Sequence, residues 1–436
     1  MQVVLKELRL TLALALPMIV AQVSQMLIGI TDAAFIGRVG TVELAAAAFT
    51  QGVFGLFYIV GIGLLIPVGV YTARDHGAND AVGCAAWLKH GRATGLVAGG
   101  VFFALLALLS TQLHRFGQPP EVIAIVKPFF LLTSLSLVPV LYFQVQRQYL
   151  DALGRPWVGT CIMLADVGLN ALLNWIFIWG HWGAPALGLT GSGVATLVAR
   201  TLAVSFIALW LRREAHPPRG FEPGRFRAML QMGVPAAGSL LFESGAFAAA
   251  MLMMGWLGAT ALAAHQIALS CAAFTFMFPL GLSMATSIRI SKALGEGRRG
   301  ALRPIGFGSL GLTVVLMLTF ATGFALGGGV LARSFTPDPA VVALATQLLA
   351  VAALFQLFDG GQVVSAGMLR GLTDVKVPTV ITFIAYWVLS LPLGYALAFH
   401  TALGPIGVWT GLAAGLSCAA VLLARRFHRL TSTPGL

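Results

Sequence analysis

The chain has 436 residues, 58% of them hydrophobic and only 10% charged, with a mean hydropathy of +0.89. Soluble domains are about half apolar and about a quarter charged, so the composition excludes a water-soluble globular protein and points to a polytopic membrane protein. The net charge of +12 calls for an account as topology or as an anion-binding surface, and the placement of the basic residues supplies it.

A bilayer core of about 30 Å takes roughly 20 apolar residues of helix. Twelve stretches of that kind, bounded by charge, Pro or Gly, are predicted in chain order near 10–33, 48–72, 92–112, 128–150, 157–179, 187–211, 228–256, 262–286, 304–330, 340–368, 378–399 and 405–424. The first follows Lys6 and Arg9 and is too long for the core of a signal peptide, so it reads as a retained span. Of the 27 Lys and Arg residues, 22 fall in the loops and termini of one side. The other side has Arg38, Arg115, Lys127 and Arg333, and Arg200 lies within a span. The positive-inside rule then puts both termini in the cytoplasm. With the charge explained as topology, a nucleic-acid partner loses its support.

An offset of 218 residues superposes Pro17 on Pro235, Gly40 on Gly258, Leu44-Ala45-Ala46 on Leu262-Ala263-Ala264, Gly63-Leu64 on Gly281-Leu282 and Gly77 on Gly295. Each half holds six spans, an even number, so both halves enter the membrane in the same sense. The expected fold is therefore all-α integral membrane: twelve transmembrane helices in two parallel six-helix lobes related by a pseudo-two-fold along the membrane normal. The lobes are read as residues 1–211 and 228–436, joined by the basic cytoplasmic linker RREAHPPRGFEPGRFR at 212–227.

Of 15 acidic residues, four lie within spans: Asp32, Asp166, Glu243 and Asp359. A charge at mid-bilayer costs a few kcal/mol on insertion scales, so such residues face a cavity or a partner and mark pathways. Asp32 is near Arg38 and reads either as a solvated interfacial residue or as an intramembrane acid. Asp166 shares a helix face with Asn170 and Asn174, a pattern equally suited to a hydrogen-bonded helix seam. Glu243 lies 16 residues past Arg227, roughly 24 Å of helix, too deep for its side chain to reach water. Asp359 is 11 residues before Arg370, roughly 16 Å.

The remaining features are weaker. His265 reads as structural. Gly91, Gly95 and Gly99 form a small-residue ridge suited to close helix packing. The Met and Phe residues around Glu243 and Met277 suit either an adaptable cavity or a lipid-facing surface. Cys84, Cys161, Cys271 and Cys418 are far apart, so neither disulfide nor metal site is expected. No HExxH, GxSxG or Walker A pattern occurs, ALGGGV (325–330) has no following Lys, and no enzyme is expected.

The segments ITDAAFIGRVG (30–40), LNALLNWIFIWG (169–180), LLFESGAF (240–247), ALAAHQIAL (261–269), FMFPLGLSMATSIRISKALGEG (276–297) and FDGGQVVSAGMLRGLTDVKVP (358–378) resemble the MATE (multidrug and toxic compound extrusion) family, and most of all its NorM branch. The resemblance implies a cation-coupled multidrug exporter that exchanges H⁺ or Na⁺ for organic cations, with no resident cofactor. It makes Asp32 the first-lobe acid, with Asn170, Asn174 and Thr196 as polar neighbours, and Glu243 and Asp359 the second-lobe cation site, which could hold Na⁺. Some relatives carry Asp at the position of Asn174, which leaves the first lobe less acidic here unless Asp166 compensates. Some sodium-coupled relatives carry Tyr where this chain has Phe355, which takes away one oxygen ligand. Phe247 and Gln266 are expected to line the cavity. Small organic cations and membrane lipids are the expected partners. The working unit is expected to be a monomer in a bacterial-type inner membrane. The alternative is a flippase for lipids or lipid-linked oligosaccharides, which needs cationic side chains in the cavity; Arg200 is the candidate.

Overall fold

The computed structural model describes residues 2–212 and 220–432. Residues 213–219 of the basic linker, with Arg213 and Arg219, lie outside the described residues. Among the described residues the regular structure is entirely helical, and twelve helices are long and apolar enough to cross a membrane. These are α1 (Gln2–Gly37), α2 (Thr41–Gly77), α3 (Ala81–Phe116), α4 (Pro120–Ala152), α5 (Pro156–Trp179), α6 (Gly188–Arg212), α7 (Pro223–Trp256), α8 (Ala259–Gly295), α9 (Arg299–Phe335), α10 (Pro339–Gly371), α11 (Lys376–Phe399) and α12 (Pro405–Ser432). Each contains the corresponding predicted span or nearly all of it. Most run well beyond it at one or both ends, and α7 begins inside the stretch read as linker.

Local chemistry sets the ends. Asp80 accepts from Gly83 N at 2.8 Å to start α3, and Asp338 accepts from Ala340 N at 2.9 Å to start α10. Each thereby satisfies an amide that has no partner within its helix. Pro120, Pro156 and Pro339 occupy first-turn positions, where a missing N–H costs nothing.

Two interior prolines shape the helices that carry polar groups. Pro139 has no N–H for the Leu135 carbonyl, and the α-helix of α4 is interrupted at Ser136. Pro392 removes the partner of the Val388 carbonyl, and residues Ile384–Ser390 of α11 are wound as a π-helix, a local expansion common at functional positions.

The chain forms two compact units. One is Val20–Ala237; the other combines Met1–Ile19 with Gly238–Leu436. The chain thus changes unit within α1, two residues after Pro17, and within α7, two residues after Pro235. The two points are separated by the repeat offset. The repeat is also visible in the backbone: left-handed residues recur as Asn79 and Gly297, as Gly154 and Thr373, and as Gly188 and Gly404.

Each short exchanged segment is tied down by ions at equivalent positions with the signs reversed. Glu7 of α1 is paired with Arg289 and, at 2.5 Å, with Arg298. Arg225 of α7, one repeat later, pairs with Asp75 at 3.4 Å and lies over the Trp87 ring at 4.8 Å. Glu7 is buried, as is Asp151 near the end of α4, although the sequence reads both as acids outside the spans, in a terminus and a loop.

Within the first unit the glycine ridge of α3 packs on its neighbours. A Cβ at Gly99 would come within 2.8 Å of the Val138 backbone, and one at Gly91 within 2.7 Å of Val68. The core of this unit centres on Phe129, Phe130, Leu137 and Leu141, and that of the second on Phe355, Tyr386, Trp409 and Leu416.

Candidate functional site

In the first unit Asp32 of α1 is buried, 5% exposed. Asn174 of α5 donates to its Oδ1 at 2.7 Å, and the same amide nitrogen donates to Asn170 Oδ1 at 3.1 Å. Asp32 is therefore an intramembrane acid rather than a solvated neighbour of Arg38. Thr196 of α6 is buried in the same unit.

The stripe of α5 divides its work. Asn170 and Asn174 serve Asp32, whereas Asp166 reaches a small cavity of about 20 Å³ lined also by Gln25, Met163 and Arg200. Its Oδ1 has no hydrogen-bond partner. Arg200 donates from Nη1 to Ser136 Oγ at 2.5 Å, at the break that Pro139 makes in α4, and its guanidinium lies 4.9 Å from the centre of the Phe54 ring. It acts electrostatically on both Asp32 and Asp166. Among the described residues it forms no direct ion pair with either.

In the second unit Glu243 of α7 is half-buried, and the Gln362 side chain of α10 hydrogen-bonds to it. Asp359, three residues before Gln362 on the same helix, is 4% exposed and stands within electrostatic reach of Glu243. The two acids named by the sequence are thus brought together. Tyr386, on the π-helical turn of α11, is fully buried and stands within electrostatic reach of both. Asp359 Oδ1, Gln362 Oε1 and the Tyr386 hydroxyl all lack hydrogen-bond partners. Buried polar atoms are almost always paired, so an unpartnered carboxyl oxygen of Asp359 with two further orphans, Gln362 Oε1 and the Tyr386 hydroxyl, marks a place built to receive something. Arg370 donates to Ser283 Oγ at 2.9 Å and also acts on Glu243.

An aromatic wall closes this cluster. The Phe247 ring is 6.1 Å from Phe355 and 6.3 Å from Tyr386, and Phe355 is 5.4 Å from Trp409. Trp409 Nε1 donates to His265 Nδ1 at 3.1 Å, so His265 is held as a buried acceptor of the wall. Gln266, its neighbour on α8, is exposed. The four cysteines are free.

Sequence reasoning missed Gln362, Tyr386 and Arg370 as members of the cluster. Gln362 was within reach, since residues three apart share a helix face. Arg370 reads as a loop cation, yet it sits within α10. Tyr386 depends on the winding of the π-turn, which has no sequence signature beyond Pro392.

The profile of the MatE family matches residues 17–176 and again 235–396. The chain belongs to the MatE family. The two matches begin at Pro17 and Pro235, so the family unit occurs twice at the repeat offset. Among curated relatives, the probable multidrug resistance protein NorM of Mesorhizobium japonicum is 35% identical over 97% of this chain and 94% of the relative. That of Rhodopseudomonas palustris is 38% identical over 98% of this chain and 92% of the relative. A crystal structure of MATE in the straight conformation superposes with a TM-score of 0.91 at 21% identity, covering 98% of this chain and 96% of that one. It supports the fold of this MatE protein.

Proposed function

We propose that this MatE protein is a multidrug exporter that couples the outward passage of organic cations to the inward passage of H⁺ or Na⁺. The observation that carries the reading is the second-unit cluster, in which Glu243 and Asp359, the latter with an unpartnered Oδ1, lie with the unpartnered Gln362 Oε1 and Tyr386 hydroxyl. Oxygen-only donor sets suit hard cations. Burial disfavours the charged form of any carboxyl, and a second one nearby disfavours it further, so such a pair takes up a proton, a metal cation or an organic cation in competition. Antiport needs that competition and two alternating conformations. Phe247 and Phe355 supply apolar and cation–π contacts that tolerate many ligand shapes. In the first unit Asp32, with Asn170, Asn174 and Thr196, offers a second polar position. The Tyr386 hydroxyl supplies an oxygen that Phe355 lacks, which favours retaining Na⁺ alongside H⁺ as a coupling ion. The same reading makes the protein a monomer in the inner membrane with both termini in the cytoplasm. A flippase for pyrophosphate-linked lipids is disfavoured because Arg200 and Arg370 each stand beside carboxylates.

The test is ethidium export from proteoliposomes under an imposed Na⁺ gradient and then an imposed pH gradient. Export under one or both, lost in Glu243→Gln and in Asp359→Asn, is expected. Unchanged export in both variants would overturn the assigned roles.

A further inference from the structure

The cavity beside Asp166 in the first unit pairs an acid and a base that do not neutralise each other by direct contact. Arg200 is anchored elsewhere, to Ser136 Oγ and over the Phe54 ring, and Asp166 Oδ1 is left without a partner. Asp32 takes its hydrogen bond from Asn174 rather than from the guanidinium. Arg200 is thus held as a fixed charge near two carboxyls and is not consumed by either. Arg147, one turn from Asp151 on α4, acts on that acid and donates to Met163 Sδ and Gln22 Oε1, so neither belongs to the Asp32 group. What remains around Asp32 is two carboxyls and one guanidinium, a deficit of one positive charge.

The second unit holds the same complement of side chains, two acids and one arginine, with unrelated residues. Glu243 and Asp359 are accompanied by Arg370, which is likewise anchored to a serine, Ser283. The positions are not equivalent in the repeat: Glu243 corresponds to Gln25, which lines the Arg200 cavity, and Asp32 corresponds to Ala250.

We propose that Arg200 is a specificity-determining residue: by holding the first unit's deficit at a single charge, it makes that site select singly charged organic cations over doubly charged ones. In water a second charge on a ligand is strongly hydrated, and it is lost to the site only if a second unmatched carboxylate receives it. Arg200 withholds that carboxylate. The inference rests on the reading of the protein as an organic-cation exporter.

Ethidium and propidium share a phenanthridinium ring and differ by one cationic side arm, so the ratio of their dissociation constants reads the charge preference. The ratio is measured by dye fluorescence on the purified full-length protein in detergent. Arg200→Gln is expected to move the ratio about tenfold toward propidium, the order of effect for one unit charge across a protein interior of effective dielectric about 20. Asp166→Asn/Arg200→Gln, which restores the count, is expected to return the ratio to the wild-type value, and Asp166→Asn alone to move it toward ethidium. If Arg200→Gln does not yield monodisperse protein, Asp166→Asn alone decides. A ratio unchanged by the single substitutions, or left shifted in the double variant, overturns the proposal while leaving the exporter reading intact. Failure of the wild-type protein to bind either dye overturns both.

Discussion

Asn174 gives one side-chain nitrogen to two acceptors, Asp32 at 2.7 Å and Asn170 at 3.1 Å, and thereby ties α5 to the C-terminal part of α1 within one unit. The bond to Asp32 is available whether or not that residue is charged. Asp32→Asn should therefore keep the contact, with a loss of stability of about 1 kcal/mol or less, while removing the one group there able to take up a cation. The expected result is wild-type membrane abundance and thermal unfolding with at least about a tenfold fall in ethidium efflux, one intramembrane charge being worth that much. Asn174→Ala should do the opposite, lowering the unfolding temperature because the buried Asp32 oxygen loses its donor.

The Tyr386 hydroxyl is buried without a partner. An unpaired buried hydroxyl costs about 1–3 kcal/mol, so Tyr386→Phe should leave the purified protein as stable as the wild type or more so. If the hydroxyl serves as a cation ligand, the same substitution should weaken Na⁺-driven dye export more than proton-driven export. Equal loss under both gradients would show that Tyr386 acts on the substrate or on the packing of Phe247 instead.

The fold and the site are legible in the sequence to different depths. Twelve spans follow from hydropathy because a helix in lipid must satisfy its own backbone and present apolar side chains for about 20 residues. The acids stand out for the converse reason, since Glu243 and Asp359 have no business in such helices unless they serve a pathway. Their ends are less legible: α2 and α8 continue past the predicted spans because polar residues at a bilayer surface carry a helix as well as apolar ones do. Glu7 and Asp151, read from the sequence only as acids outside the spans, are buried because an ion pair with Arg289, or a neighbouring Arg147, permits it. Gln362 shares α10 with Asp359 and is open to a reading by spacing, whereas Arg200 and Tyr386 meet their acids from other helices, and sequence spacing along one helix carries no information about a second. The change of unit after Pro17 and Pro235 is also silent in composition, although the prolines themselves are visible.

Gly99 on α3 faces the Val138 backbone, where an added Cβ would lie at 2.8 Å. Backbone moves only with its whole helix, so Gly99→Val forces α3 and α4 apart, an overpacking cost of about 1–3 kcal/mol or more. Gly100, next along the chain, has open space around its Cβ position. Gly100→Ala is expected to leave thermal unfolding unchanged or raised, because Ala is the better helix former by about 1 kcal/mol. Comparing the two variants by thermal unfolding in detergent separates close packing from a general dislike of substitution at this ridge.

The reversed ion clasps differ in burial, and that difference predicts unequal energetics. Glu7 is 3% exposed and Arg289 11%, whereas Arg225 and Asp75 are each 24% exposed. Removing one partner of a buried pair costs about 3–5 kcal/mol, mostly from the charge left behind, whereas exposed pairs are worth about 0–1 kcal/mol. Arg298 still reaches Glu7 when Arg289 is gone, so Arg289→Met should cost less than the full loss of a buried partner, about 2–3 kcal/mol. Glu7→Gln/Arg289→Met should recover more than half of that, because the buried, half-compensated Glu7 charge is gone and the exposed Arg298 keeps Glu296 at 2.9 Å. Arg225→Met should cost less than Arg289→Met, and what it costs should come largely from the lost contact with the Trp87 ring rather than from the ion pair. Asp75→Asn, which leaves the ring contact in place, should therefore be milder still. Equal losses for Arg289→Met and Arg225→Met would show that burial does not set the strength of the two clasps.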